Sequence, residues 1–304
     1  MKRIVVILGP TAVGKTKISI ELALALEGEI VSADSMQLYK KMSIGSAKPT
    51  IEETNLVPHH LVDEIDPMMH FSAAQYQVLA KRAIEDILSR GKLPIISGGT
   101  GLYINSLIYE MNFGENPRDL AFREEMESLA KDQGKEAVHK LLAEKDPIAA
   151  EKIHPNNLKK VIRGLERVSE EGKIKSFENS FQPIKDYEVV LIGLKRDRKE
   201  LYARINDRVD LFVEQGLIKE VQGLIRDGLS DENISMLGIG YKEIYDYIQG
   251  KTILERAITL IKQNSRHLAK RQMTWFKRYK GVKWFDLSSL ECPEEEILKW
   301  LRKN

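Results

Sequence analysis

Cysteine is almost missing from this chain. Cys292 is the only one in 304 residues, which excludes an intramolecular disulfide framework and a cysteine-rich zinc site. Long apolar runs are missing too: no stretch approaches the ~18–20 residues that a membrane span requires. Net charge is close to zero at +2, so a polyanion partner has to be read from local clusters and not from the total. An apolar run begins almost at Met1, so no leader peptide is expected ahead of it. Together these shortages describe a chain expected in the cytoplasm, with no membrane partner. The length suits about two domains, or one with a large insertion.

The strongest positive signal is Gly9-Pro10-Thr11-Ala12-Val13-Gly14-Lys15-Thr16, placed between the apolar run Ile4–Leu8 and a helical pattern from Ile18 to Leu26. This is the P-loop spacing in its required context, after a strand and before a helix. Glycines let backbone N–H groups converge on phosphate oxygens where a helix N-terminus offers orphan donors and a positive dipole end. Lys15 adds a mobile charge, and the Thr16 hydroxyl is a candidate ligand for Mg²⁺. The segment implies binding of a di- or triphosphate group.

Residues 1–112 alternate strand and helix signals, which predicts an α/β fold with a parallel sheet. The short strand Glu29–Ala33 leads into Asp34-Ser35-Met36-Gln37. It is expected beside the P-loop strand, with Asp34 on the ligand edge of the sheet; the alternative is a helix cap or turn former. Tyr39 to Phe71 reads as a long functional loop, with His59 and His60 satisfied by backbone or solvent. Ser72 to Gln75 is a capping box that opens a helix. The strand Leu93–Ser97 ends in a second glycine-rich turn, Gly98-Gly99-Thr100-Gly101-Leu102-Tyr103.

From Gly114 the strand signals stop, and residues 115–182 are charged, helix-favouring and broken by Pro117, Pro147 and Pro155. The expected architecture is therefore a P-loop NTPase-like parallel sheet flanked by helices, formed by 1–113 and 188–304, with an all-helical insertion over 114–187. Val189–Leu194 returns to the sheet. Asp197 then caps a helix on which Arg204 and Arg208, four apart, share a face. Two guanidiniums there make a fork for phosphate oxygens; the alternative is surface pairing with Glu200 or Asp207. Met236 to Lys242 is a glycine-hinged turn, and Thr252 to Glu255 reads as a capping box for a helix reaching about Lys280. Residues 251–283 hold ten Lys or Arg against one acid, Glu255, with aromatics interleaved. That pattern fits a nucleic-acid backbone.

Three classes follow: a small-molecule or nucleotide kinase, a nucleic-acid-dependent NTPase, and a transferase whose leaving group is a diphosphate. GTPase switch motifs are not apparent, nor is an apolar run ending in Asp-Glu. Gly9–Thr16, Ser32–Gln37, Ile44-Gly45-Ser46-Ala47-Lys48-Pro49, Gly98–Tyr103 and Lys270-Arg271-Gln272-Met273-Thr274-Trp275-Phe276 resemble, in order, the motif series of the tRNA dimethylallyltransferase (IPP transferase) family. With one cysteine the resemblance is to its compact bacterial form.

The resemblance implies transfer of a dimethylallyl group from dimethylallyl diphosphate to N6 of adenosine 37, in tRNAs reading codons that begin with U. It implies Mg²⁺ as cofactor and a tRNA anticodon stem-loop as partner, with a P-loop kinase as the alternative; a monomer is expected, though not from the resemblance. Lys15, Asp34 and Thr100 become the catalytic residues, with Asp34 as general base and Arg204 and Arg208 on the diphosphate. Ser35, Met36 and Gln37 are then expected to read a base flipped from its stack, with Arg123 at the mouth of the reaction channel. Lys159, Lys160, Val161, Ile162 and Arg163 are expected along the stem-loop, as are Leu237, Gly238, Ile239, Gly240, Tyr241 and Lys242. Lys159, Lys160 and Lys242 stand where arginines often appear, which keeps charge but loses bidentate geometry.

Overall fold

A computed structural model describes residues 2–111, 113, 120–171 and 182–303. Six strands form one wholly parallel sheet: β1 (Arg3–Leu8), β2 (Gly28–Ser32), β3 (His59–His60), β4 (Leu93–Gly98), β5 (Glu188–Lys195) and β6 (Lys283–Asp286). Their order is β3-β2-β4-β1-β5-β6. Ile4 to Leu8 are at most 1% exposed, because β1 is central and covered on both faces, the environment that an unbroken apolar run requires.

The order corrects one expectation. β2 is not beside the P-loop strand; β4 lies between them, with Leu8 in register with Gly98 and Ser32 with Ser97. Hydrophobic pattern specifies that a strand is buried but not which strand is its neighbour. From β1 the chain builds outward in both directions, so the ends of β1, β4 and β2 share one crevice at the sheet's switch point.

Helix α1 (Lys15–Ala25) follows the P-loop, and α2 (Ile51–Leu56) lies inside the long loop with a capping box from Thr50 and Glu53. Helix α3 (Ala73–Ser89) has the expected box from Ser72 and Gln75, an arrangement worth ~1 kcal/mol. Helix α4 (Gly101–Ile108) continues from the second glycine turn. Beyond β5 come α9 (Arg198–Glu214, capped by Asp197), α10 (Leu217–Arg226), a 3-10 turn (Ile234–Leu237), α11 (Tyr241–Ile248), α12 (Leu254–Phe276) and α13 (Pro293–Leu301). The box expected at Thr252 does not form: Ile253 is the N-cap, without a side-chain bond, and the helix stops at Phe276, short of Lys280.

One core cluster joins β1, β4 and β5 to α1, α9 and α13, with Ala269 of α12 among its members. A second joins Tyr39 and Met42 of the long loop to α10, α11 and the first half of α12. The chain divides into two compact units, Met1–Ile108 with Ile184–Asn304, and Tyr109–Pro183. The second unit holds α5 (Leu120–Gln133), α6 (Lys135–Lys145), α7 (Pro147–Lys152) and α8 (Leu158–Glu171) around its own core of Val138, Leu142, Val161 and Leu165. The expected boundary at Gly114 and the break at Pro117 lie outside the described residues. At the other end the Ile184 N–H donates to the Ile108 carbonyl at 3.2 Å, so residue 184 already belongs to the sheet-bearing unit.

Candidate active site

The P-loop turns directly into α1, with Gly14 at φ 112° as N-cap. That left-handed value favours glycine, since a side chain there would be strained. The Lys15 ammonium is buried and donates to the carbonyls of Gly9 (3.0 Å) and Pro10 (2.9 Å). Burial pushes its pKa down to about 8, opposed by the Asp34 carboxylate and reinforced by Arg208.

Two further loop carbonyls are held from distant segments. Arg204 Nε donates to Ala12 O at 3.0 Å, and Arg196 Nε to Val13 O at 2.9 Å. Glu200, the alternative partner of Arg204, is taken instead by Arg196 and by the Ser288 hydroxyl. Arg208 is half-buried and has no hydrogen-bond or ion-pair partner among the described residues. Burial and Arg204 lower its pKa while Asp34 raises it. An unpartnered guanidinium and a buried ammonium beside the N–H groups of a loop that opens a helix favour a multiply charged anion.

The next turn along the sheet edge carries the second half of the site. Thr100 N–H donates to Ala33 O at 3.0 Å, and Thr100 Oγ1 accepts from Ser35 N–H at 3.0 Å. Its own hydroxyl points to Ser35 Oγ at 3.3 Å. Asp34 Oδ1 accepts the Met36 N–H at 2.9 Å, an Asx turn that fixes the carboxyl. Its second oxygen has no hydrogen-bond partner among the described residues. Asp34, Ser35 and Thr100 are thus brought together in one turn, with Lys15 near enough to feel the Asp34 charge.

Several expected contacts are not available as such. Gln37 accepts from Ser32 Oγ and donates to Ala47 O at 3.0 Å, so its amide tethers the Ile44–Pro49 turn. Tyr241 is fully buried, its hydroxyl donating to Glu220 at 2.7 Å. Val161 and Ile162 are at most 3% exposed within the core of the helical unit. Each lies on the apolar side of its helix, which the turn and basic motifs obscured. Met36 packs against Gly238, Leu237 is 44% exposed, Ile239 is half-buried, and Gly240 is the N-cap of α11. Lys242 pairs with Asp246 at 2.9 Å.

In the helical unit Lys159 and Lys160 are exposed, whereas Arg123 and Arg163 both pair with the buried carboxylate of Glu166. Burial opposes that charge, but the two guanidiniums overcome it and hold the carboxyl below its ordinary range. His60, read as a loop residue, sits on β3 and bonds Glu29 at 2.7 Å, while His59 bonds the Val57 carbonyl.

Sequence reasoning assigned no role to three residues that shape the site. Arg196 was one, Gln272 of α12 another; Gln272 accepts from Thr11 N–H and donates to Gly99 O, both at 2.9 Å. The third, Glu220, accepts the N–H groups of Ser43, Ile44 and Gly45. All three act across long sequence separation, and only Gln272 stood inside a recognisable motif.

The basic block over residues 251–283, which includes α12, is not uniform. Lys251, Lys262 and Arg266 are partnered by Asp231, Asp210 and Asn206. Lys270, Arg271, Lys277 and Lys280 are exposed and have no partner among the described residues. His267, Lys270, Arg271, Thr274, Trp275 and Arg278 line a cavity of about 540 Å³.

A parallel sheet with a P-loop at its switch point, a carboxylate turn on the same edge and a free cationic helix end define a P-loop-type fold with an anion cradle and a free basic surface. A family model described as IPP transferase matches residues 37–279. The protein is 49% identical over 302 residues to a tRNA dimethylallyltransferase of Alkaliphilus oremlandii, covering 98% of this chain and 96% of that one. It is 52% identical to one of Bacillus cytotoxicus over 301 residues, 99% and 95% of the two chains. The full-length tRNA isopentenylpyrophosphate transferase structure from Bacillus halodurans superposes with a TM-score of 0.76 at 45% identity, covering 100% and 96%. A eukaryotic dimethylallyltransferase described as acting on tRNA gives 0.81 at 29% identity, covering 95% and 75%. This chain belongs to the IPP transferase family.

Proposed function

We propose that the enzyme transfers the dimethylallyl group of dimethylallyl diphosphate to N6 of adenosine 37 in tRNAs reading codons that begin with U. The observation that carries this is the strand order. With β4 between β1 and β2, the cradle for a leaving diphosphate and the Asp34–Thr100 turn become neighbours on one sheet edge. A kinase would explain the cradle but not the free cations at the end of α12.

Breaking the allylic C–O bond leaves positive charge on carbon and sends the electron pair to diphosphate. Donors fixed at that leaving group are the main lever, a task for the P-loop N–H groups, Lys15, Arg204 and Arg208. The N6 amine is a poor nucleophile, its lone pair shared with the ring. Asp34 orients it through the open carboxylate oxygen and accepts the proton as the N–C bond forms. Thr100 holds that carboxylate's turn by bonding Ser35 on one side and Ala33 on the other.

Mg²⁺ fits the donor set present. The Thr16 hydroxyl has no partner among the described residues, and no group of three acidic or histidine side chains exists there to form a protein cage. Such a hard cation would be held by Thr16, diphosphate oxygens and water, and when bound it supplies charge neutralisation of the leaving group. The exposed Lys159, Lys160, Lys270, Arg271, Lys277 and Lys280 suit RNA phosphates.

The test is mass spectrometry of nucleosides from unmodified tRNA incubated with protein, Mg²⁺ and dimethylallyl diphosphate. A five-carbon addition on one adenosine, abolished in Lys15→Ala, is the expected result. No addition, with phosphate released from ATP onto a small hydroxyl compound, would return the site to kinase chemistry.

A further inference from the structure

The two halves of the site are bridged by one side chain that the chemistry above does not use. Gln272 spends both atoms of its amide, Oε1 accepting from Thr11 N–H and Nε2 donating to Gly99 O, each at 2.9 Å. Thr11 belongs to the leaving-group cradle, and Gly99 immediately precedes Thr100 of the acceptor turn. The fit is close on the glycine side. A Cβ on Gly99 would stand 2.3 Å from Nε2 and meet nothing else nearer than 3.4 Å. Three residues on, Trp275 packs against Gly101 and donates Nε1–H to Asn105 Oδ1 at 3.3 Å, so α12 braces the whole turn.

We infer that Gln272 is a positioning residue for the transfer: its amide sets the separation between the diphosphate cradle and the acceptor turn. This rests on the reading of the reaction given above. Only a primary amide of this length satisfies both contacts. A glutamate keeps the acceptor for Thr11 and presents a second oxygen to the Gly99 carbonyl; a leucine satisfies neither; an asparagine is one methylene too short. Both contacts of the amide are to backbone, so removing the bridge deletes no group assigned above to phosphate or base. What it loosens is the register between them.

In prenyl transfer that register has a chemical signature. The ionised allyl group is captured by whichever nucleophile lies in line. When N6 is placed, the N–C bond forms and its proton passes to Asp34. When N6 is displaced, water takes its position, forming dimethylallyl alcohol, diphosphate and a proton. A misplacement of about 1 Å costs on the order of 10²-fold in rate, so a drifting turn should shift the partition from RNA to water.

The experiment uses the full chain with Mg²⁺, dimethylallyl diphosphate and an anticodon stem-loop RNA, comparing Gln272→Leu and Gly99→Ala with the parent. Expected for Gln272→Leu is a ~10–100-fold slower single-turnover modification. Affinities for inorganic pyrophosphate and for the stem-loop should each stay within about threefold, with the ratio of alcohol to modified RNA rising at least about tenfold. Gly99→Ala, which displaces the amide from the other side, should raise the same ratio. The double variant should be no worse than the more severe single one, because both remove one interaction.

An unchanged ratio in both variants would overturn the inference. So would a rate loss matched by an equal loss of pyrophosphate affinity, the mark of a merely structural contact. Absence of any RNA modification by the parent protein would instead overturn the reaction itself, so the two failures are distinguishable.

Discussion

Lys15 is the part of the diphosphate cradle whose charge pH can remove. Its ammonium is buried against the Gly9 and Pro10 carbonyls, and burial brings its pKa to about 8. A lysine is charged below its pKa, so the free enzyme carries that charge in about ten molecules of eleven at pH 7, half at pH 8 and about one in eleven at pH 9. A bound diphosphate holds the proton in place, and affinity therefore follows the charged fraction of the free form. The dissociation constant should rise by about twofold from pH 7 to 8 and about tenfold from pH 7 to 9, or ~1.4 kcal/mol. Calorimetric titration with isopentenyl diphosphate reads this cleanly, since its non-allylic carbon does not ionise and its phosphate protons are mostly lost by pH 7. The Lys15→Gln variant should bind more weakly and without that slope. A flat curve for the parent protein, or the same slope in Lys15→Gln, would refute the assignment of the charge to this lysine.

Three further outcomes follow from other parts of the molecule. Asp34→Ala should slow the chemical step by ~10²–10⁴-fold with stem-loop affinity little changed; rapid-quench single turnovers and a filter-binding titration separate the two. Affinity for tRNA should fall steeply with salt, and Lys270→Ala or Arg271→Ala should each lessen the log–log slope by ~0.7–0.9, whereas Lys262→Ala, already neutralised by Asp210, should leave it alone. Glu29 is 2% exposed and held by Arg90, Lys92 and His60; the Arg90 hydrogen bonds, ahead of the others, keep its carboxyl far below the ordinary range. That stabilisation is complete above the unfolded carboxyl pKa near 4.5 and is lost as pH falls below it. Glu29→Gln should therefore lower stability at pH 7 by ~1–3 kcal/mol, the partner heads being partly in water, with the gap closing in acid thermal melts.

The parts of the site that lie within one stretch of chain are legible in the sequence alone. The P-loop, the Gly98–Tyr103 turn and the Ser72 box are encoded by spacing, because their geometry is set by neighbours a few residues away. Asp34 and Thr100 could be placed on the ligand edge, but not side by side, since strand order depends on crossover connections that hydrophobic pattern does not specify. Arg196, Glu220 and Gln272 reach the P-loop, the Ile44 turn and Gly99 across 173 or more residues, and nothing local marks such a partner. The errors have a common origin. Val161, Ile162 and Tyr241 lie inside motifs that do contain exposed residues, and a helix alternates faces within every motif of that length. Thr252 matched a capping pattern one residue too early, a shift that propensity alone cannot resolve.

The split of the sheet-bearing unit has a consequence for how the protein is born. β1 pairs with β4 on one side and β5 on the other, and β5 leaves the ribosome only after the whole helical unit. At ~5–20 residues per second, β1 waits on the order of 10 to 40 s for its second neighbour. During that interval a strand that is apolar from Ile4 to Leu8 has an open edge. Arg196, Arg204 and Gln272, which hold the P-loop carbonyls and amide, arrive later still. A nascent chain of a hundred residues thus carries the complete phosphate-binding motif yet lacks every long-range clamp that shapes it.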